Sequence, residues 1–254
     1  LEVWKLRDDG RYYHFKTYPI CNWSGDLGPK INQGDRQAPE GFYTISREQM
    51  NPNSKYHLAF NLGFPNAFDK AHGRTGEYLM IHGHCKSAGC YAMTDALIEE
   101  IYGIAREAFL GGSDSFPVHA FPFRMTPQNM ARHAGHPATA FWATLKEGYD
   151  YFEYTRQVPT VAVCNRRYMV NVAMRNGDVR QLNPTGACPS FIRPALSPFT
   201  PRPGEQVAET VIVPGPKMRA VAGLESGTRS GLTTTGGGTS NLPQSHPTLG
   251  YAGR

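Results

Sequence analysis

The sequence predicts a mainly β fold with helices packed on it, an α+β architecture, and three observations carry that expectation. Short aromatic-rich runs with strand-like alternation recur up to residue 82. After Thr94 the apolar spacing switches to every third or fourth residue, the spacing of a helix face. Every aromatic residue except Phe199 and Tyr251 lies within residues 1–193, so the material for a packed core is concentrated there.

Taken in order, Leu1-Glu2-Val3-Trp4-Lys5-Leu6 alternates apolar and polar, turns at Arg7-Asp8-Asp9-Gly10 and resumes as Arg11-Tyr12-Tyr13-His14-Phe15-Lys16. Asp-Gly between two such runs is a hairpin signal. Gly41–Ile45, Lys55–Phe60 and Glu77–His82 are further strands, bounded by Pro, Asn and Gly. Leu97, Ile98, Ile101, Ile104, Ala105 and Ala108 share one helical face; Thr94 or Asp95 caps its start and Gly111-Gly112 stops it. Val118–Phe123 reads as a strand, Thr126-Pro127 starts a second helix, and Ala138–Leu145 fits a third. Strands return at Thr160–Cys164 and Tyr168–Val172. Residues 1–155 are expected to form the main domain, 156–193 a small β annex, and 194–254 a disordered Gly/Pro/Thr-rich tail. The last segment holds 10 Gly and 8 Pro in 61 positions, a composition that buries too little apolar surface to offset its ordering entropy.

The charge balance of 26 basic to 21 acidic residues, net +5, is too mild and dispersed to argue for nucleic acid. No run of about 18 apolar residues is present, so no transmembrane segment is expected. The chain opens on Leu1 rather than Met, which fits removal of an upstream piece.

The densest reactive cluster is Met80-Ile81-His82-Gly83-His84-Cys85-Lys86-Ser87-Ala88-Gly89-Cys90-Tyr91-Ala92-Met93, running from a strand through small residues to a helix start. Acyl transfer by a thiol needs a thiolate, a base to make it, and donors for the oxyanion. Cys90 follows Gly89, which leaves its sulfur accessible, and a nearby helix N-terminus favours negative charge. An ordinary Cys, pKa about 8.5, is mostly thiol at neutral pH; a facing imidazolium lowering it by roughly two units makes the thiolate dominant. His82, eight residues earlier, can supply that imidazole. The bland alternatives are a buried structural Cys with a satisfied His, and a zinc site built from His82, His84, Cys85 and Cys90, whose spacing is irregular.

The order Ile-His-Gly, then Ser-x-Gly-Cys, then a helix resembles the active-site signature of the YkuD-type L,D-transpeptidases. Ala38-Pro39-Glu40-Gly41-Phe42-Tyr43 and Asn61-Leu62-Gly63-Phe64-Pro65-Asn66 resemble two upstream segments of that family. Ser24-Gly25-Asp26-Leu27-Gly28-Pro29-Lys30, Gly34–Gly41 and Ser87–Asp95 are closest to its YafK branch, and Phe121–Thr126 and Gly148–Phe152 extend the likeness. Together these ordered motifs span roughly residues 1–155 and are more specific than any one of them.

The resemblance implies an L,D-transpeptidase (YkuD-like) catalytic domain and a cysteine enzyme of the periplasm or cell envelope. Its substrates would be peptidoglycan stem peptides carrying meso-diaminopimelate, its partner in some members an envelope lipoprotein, and it would need no cofactor and no metal. Carried over by residue, Cys90 is the nucleophile, His82 the base, and Gly83 the residue whose carbonyl orients the imidazole. Gly89 and Cys90 N–H groups would meet the oxyanion, and Ser87 would brace the loop. Tyr91, Lys86 and Arg47 are candidate substrate contacts, as are Lys30 and Arg124, though solvated cations and a core tyrosine are the simpler readings. Ala88 and Ala92 stand where the common pattern has His and Arg, and the gap from His-Gly to Cys is short. His72, eighteen residues before Cys90 and also followed by Gly, competes on spacing; His82 is preferred because it ends an apolar strand. Some members of the branch hydrolyse the diaminopimelate–lysine link to lipoprotein instead of transferring. Transfer and hydrolysis both stay open, as does a peptidoglycan-binding or zinc-stabilised module without turnover. Two disulfides plus one free thiol would account for all five cysteines, with Cys164–Cys188 the first pairing and Cys21–Cys85 the second; an all-reduced chain is the alternative.

Overall fold

A computed structural model describes residues 1–203 and, as backbone, 248–253. The predicted opening hairpin forms: β1 (Glu2–Leu6) and β2 (Tyr12–Thr17) pair antiparallel, with Gly10 at φ +74° closing the Arg7–Gly10 turn. Next come β3 (Asn22–Trp23), β4 (Gly41–Ser46), β5 (Met50–Ser54), β6 (His57–Asn61) and α1 (Ala67–Ala71), whose start is capped by Asn66 accepting Asp69 N–H. They are followed by β7 (Met80–His82), β8 (Tyr91–Ala92), α2 (Asp95–Leu110), β9 (Ser115–Phe121) and α3 (Pro127–Arg132). The series ends with α4 (Thr139–Thr155), the hairpin β10 (Val161–Cys164) and β11 (Arg167–Val170), and β12 (Thr248–Gly253). The caps read from the sequence hold: Thr94 and Thr126 accept the Leu97 and Asn129 N–H groups.

Two five-stranded sheets result, ordered β2-β1-β12-β9-β4 and β3-β8-β7-β6-β5. Period-two alternation in β4 and β9 sends their side chains to two different cores. Tyr43, Ile45, Phe116, Val118 and Ala120 join Phe60, Ile81, Tyr91 and the α2 residues Ile98, Ile101 and Ala105 in the first core. Phe42 and Phe121, on the opposite face, join Trp142, Leu145 and Tyr149 of α4 and Val163 and Tyr168 of the β10–β11 hairpin in the second. Burying a large apolar side chain contributes about 1.5–3 kcal/mol, so a sheet covered on both faces there is held from two sides.

Two expectations change, and two segments gain detail. The third helix continues past Leu145 to Thr155, because Tyr149 and Phe152 face Phe121 and Trp4 at centroid separations of 5.4 and 5.1 Å. The strand expected over Glu77–His82 starts only at Met80, since Gly76 and Tyr78 have φ of +143° and +56°. The hairpin at 161–170 completes the second core, and the Cys164–Cys188 disulfide, Cα–Cα 5.2 Å, fastens the following loop to it. In the segment expected to be disordered, Phe199 N–H donates to Tyr154 O at 2.8 Å and Arg202 pairs with Asp9 at 3.0 Å. Residues 248–253 form a strand parallel to β1 and antiparallel to β9. Composition hides this because the demand comes from β1 and β9, whose facing N–H and C=O groups need a partner between them. Residues 204–247 lie outside the described residues.

Candidate active site

The candidate site is built on the ladder of β6, β7 and β8. β7 pairs antiparallel with β6 and parallel with β8, in the register Ile81↔Tyr91 and His82↔Ala92. Ile81 and Tyr91 point into the first core, which anchors the ladder from below. That register brings Cys90 beside Met80, and Met80 N–H donates to Cys90 Sγ at 3.4 Å. His82 lies two residues further along β7, so its Cα is about 8 Å from that of Cys90 by strand geometry. The eight residues 83–90 are the whole connection between the two parallel strands.

The ring of His82 is buried at 2% exposure. Its Nδ1 lies 2.6 Å from the Gly83 carbonyl. A carbonyl only accepts, so Nδ1 carries the proton and Nε2 keeps the lone pair. Tyr56, itself exposed, covers the imidazole at a centroid distance of 4.8 Å and tilt of 32°, and its carbonyl accepts Gly83 N–H at 3.0 Å. Gly83 has no room for a side chain: a Cβ there would stand 2.6 Å from Asp95 Oδ1 and 3.0 Å from Tyr56 O.

The free thiol is Cys90, half-buried, with its S–H facing Tyr78 O at 3.7 Å. Burial pushes its pKa up, opposed by the Met80 N–H bond and the Lys30 charge. Burial likewise lowers that of His82, opposed by the Gly83 bond and helped by His84. Both shifts favour the neutral forms, thiol and imidazole, over the thiolate that a facing imidazolium would produce. The helix effect is absent too, because β8 and the Thr94 cap separate Cys90 from α2.

Ser87 is placed as a brace: its Oγ accepts N–H from Cys90 at 3.0 Å and from Gly89 at 3.3 Å, and donates to Cys90 O at 2.7 Å. The two amides expected to meet an oxyanion are thus occupied by this hydroxyl. At Gly89, φ +117°, an added Cβ would stand 3.0 Å from Leu79 Cδ1 and 3.3 Å from Gln37 O, so the end of the 24–37 loop lies close against the residue before Cys90. Ser24 ties that loop to Ser87 at 3.3 Å and to Arg36 O at 2.7 Å.

Other candidates are placed elsewhere. Tyr91 is in the core, its hydroxyl donating to Pro39 O at 2.6 Å, so it lines no cleft. Arg47 donates to Phe109 O at 2.7 Å, at the end of α2. Lys86 is exposed on the 83–90 loop. Lys30 is not a solvated cation: its side chain is 3% exposed and bonds Asp35 Oδ1 at 2.5 Å. Arg124 pairs with the buried Glu2. His72 caps α1, bonds Phe68 O at 2.9 Å and packs on the Phe68 ring. The zinc arrangement loses a ligand, since Cys85 is bonded to Cys21 with Cα atoms 5.3 Å apart; among the described residues no other group of three such ligands gathers. Tyr56, Tyr78 and Asp95 also border the site, through contacts no local motif signals; in sequence Asp95 reads only as a cap residue.

Comparison with known proteins gives the chain's family. Residues 3–157 match the YkuD family model, described as the L,D-transpeptidase catalytic domain. Over 161 residues, 63% of this chain, the sequence is 53% identical to YafK of Escherichia coli strain K12, which carries an L,D-transpeptidase name, and equally to YafK of strain O157:H7. The match spans 65% of those relatives' length. A segment covering 41% of the chain aligns with 42% of the crystal structure of the helical cell shape determining protein Pgp2 (K307A mutant) from Campylobacter jejuni, at 27% identity and a TM-score of 0.34.

Proposed function

Because the chain belongs to the YkuD family of L,D-transpeptidase catalytic domains, we propose that it is a cysteine-dependent acyltransferase of peptidoglycan stem peptides, with Cys90 as nucleophile and His82 as base. The observation that carries this reading is the 2.6 Å contact between His82 Nδ1 and the Gly83 carbonyl, on the strand next to the one that Cys90 leads. With Nδ1 committed to that carbonyl, Nε2 is the nitrogen left to take the thiol proton.

In the first half-reaction His82 Nε2 removes the Cys90 proton as the sulfur attacks the carbonyl carbon following the L-centre of meso-diaminopimelate. The tetrahedral oxyanion collapses, the C–N bond breaks, and the leaving amine takes the proton back from His82. A thioester on Cys90 remains. In the second half, an amine from another stem attacks the thioester carbonyl, its proton passes to His82, the C–S bond breaks to release the new amide, and the leaving sulfur takes the proton from His82 as the thiol. For amides to meet the oxyanion at this loop, Ser87 Oγ has to release the Gly89 or Cys90 N–H. Starting from a neutral pair, proton removal accompanies attack, so general-base assistance is needed in a way that a preformed thiolate would not require.

The Cys21–Cys85 and Cys164–Cys188 disulfides support a place in the cell envelope, an oxidising compartment. No helix among the described residues is long and apolar enough to cross a membrane.

The test is to incubate wild-type protein and Cys90→Ala with a disaccharide-tetrapeptide plus a free D-amino acid, and with lipoprotein-linked sacculi. Exchange of the terminal residue by wild type and none by the variant is the expected result. Freed lipoprotein instead assigns the hydrolytic reaction, and turnover by Cys90→Ala overturns the reading.

A further inference from the structure

The connection between His82 and Cys90 holds two consecutive residues in left-handed backbone conformation, His84 at φ +67° and Cys85 at φ +48°. Both carry a Cβ, and such residues keep this conformation only where their surroundings hold them there. Here the surroundings are unusually complete. Cys85 is bonded to Cys21, immediately before β3, and Cys21 N–H donates to Ala92 O at 2.9 Å, on the strand that Cys90 leads. Cys85 N–H donates to Met93 O at 3.1 Å. Asp95 Oδ1, in the first turn of α2, accepts His84 N–H at 2.7 Å and stands 2.6 Å from where a Gly83 Cβ would be. The three residues 83–85 are thus pinned from the sheet edge on one side and from α2 on the other.

We infer that the Cys21–Cys85 disulfide and the Asp95 carboxylate are positioning groups for His82. They hold residues 83–85 in the single turn that aims the Gly83 carbonyl at His82 Nδ1, and so select the tautomer with a free Nε2. The inference rests on the reading of His82 as the base. Neither group touches the reacting atoms. Without them the two left-handed residues relax, the Gly83 carbonyl swings off the ring, and the imidazole is free to protonate Nε2, the position where it cannot act as a base. The second disulfide, Cys164–Cys188, holds a loop on the β10–β11 hairpin, a sheet separate from the one that carries the turn.

The experiment is nitrogen NMR of the His82 imidazole together with steady-state kinetics, on wild type, Cys21→Ser/Cys85→Ser, Asp95→Ala, Asp95→Asn and, as control, Cys164→Ser/Cys188→Ser. Wild type, Asp95→Asn (which keeps an acceptor oxygen) and the control are expected to show one tautomer, protonated at Nδ1. The Cys21/Cys85 pair and Asp95→Ala are expected to show averaging with the other tautomer. Their kcat is expected to fall by on the order of tenfold or more, with KM little changed. A single Nδ1–H tautomer with kcat within about twofold of wild type in both variants overturns the inference. If the double serine variant does not fold, Asp95→Ala against Asp95→Asn decides alone. The tautomer is read without substrate, so it stays decisive even if Cys90→Ala keeps turnover and the functional reading falls.

Discussion

Ser87 and Cys90 are joined twice: the Cys90 N–H donates to Ser87 Oγ at 3.0 Å, and that hydroxyl donates back to the Cys90 carbonyl at 2.7 Å. A third bond, from Gly89 N–H, converges on the same oxygen. Ser87→Ala removes all three and is expected to cost about 1 kcal/mol of stability. It should lower kcat by roughly tenfold through misplacement of the thiol, whereas Ser87→Thr keeps the hydroxyl and most of the rate. Equal kcat in Ser87→Ala and wild type would remove Ser87 from the positioning of Cys90.

The pH profile follows from the neutral pair. Burial holds the His82 pKa below its ordinary 6.5, so the proton-accepting imidazole persists to lower pH. The acid limb of kcat/KM should therefore lie below pH 6.5. Burial raises the Cys90 pKa, so alkylation by iodoacetamide should gain speed only above the ordinary cysteine range near about 8.5. Rapid alkylation, already maximal at neutral pH, would reveal a resting thiolate instead.

Stability should show a compensation between two buried groups. Burial raises Glu40 from 4.5 to about 7, against the bonds it accepts from Gly28 N–H and the Trp142 indole. Its contribution is complete below pH 4.5 and is lost as pH rises through about 7. Burial lowers His119 from 6.5 to about 4, so its contribution is complete above pH 6.5 and is lost as pH falls through about 4. Each effect is about 3 kcal/mol in full, with opposite slope. His119→Leu should leave stability falling with rising pH over this window, and Glu40→Gln should leave it falling with acid. Chemical denaturation at several pH values reads both, and matching slopes in the two variants would contradict the assignment.

Two glycines offer a contrast. Gly83→Ala places a Cβ 2.6 Å from Asp95 Oδ1 and 3.0 Å from the Tyr56 carbonyl, so the turn after His82 has to shift and activity should be lost. Gly103→Ala, in α2 with nothing within 4 Å of its added Cβ, should stabilise by about 0.5–1 kcal/mol through helix propensity and leave turnover alone. Melting curves and the exchange assay distinguish them.

Where local signals were strong, the sequence was a good guide. The opening hairpin carries its Asp-Gly turn, α2 carries its cap and its stripe, and both were readable. His82 and Cys90 were readable as a pair through their motif, and the structure brings their strands side by side. What was hidden depends on partners distant in the chain. β8 is two residues long, too short to show any period, yet its pairing with β7 sets the spacing of the site. Tyr91 could be read from its neighbours as a cleft or a core residue; it is core, because the pleat sends it to the face opposite Cys90. Lys30 looked like a surface cation until Asp35 closed on it. The occupation of the Gly89 and Cys90 amides by Ser87 depends on loop dihedrals that no residue pattern encodes.

Parallel neighbours in a sheet are ordinarily bridged by a dozen or more residues, most often through a helix. β7 and β8 manage with the eight residues 83–90. So short a bridge suffices because the strands it joins are only three and two residues long, and its path is fixed by its bonds rather than by tension: Cys85 to Cys21 and Met93, His84 to Asp95, Ser87 to Cys90. An insertion among these bonded residues should break that set and loosen β3, which Cys21 precedes. Loss of turnover on heating should therefore coincide with fraying of that sheet edge, as one event seen by two instruments.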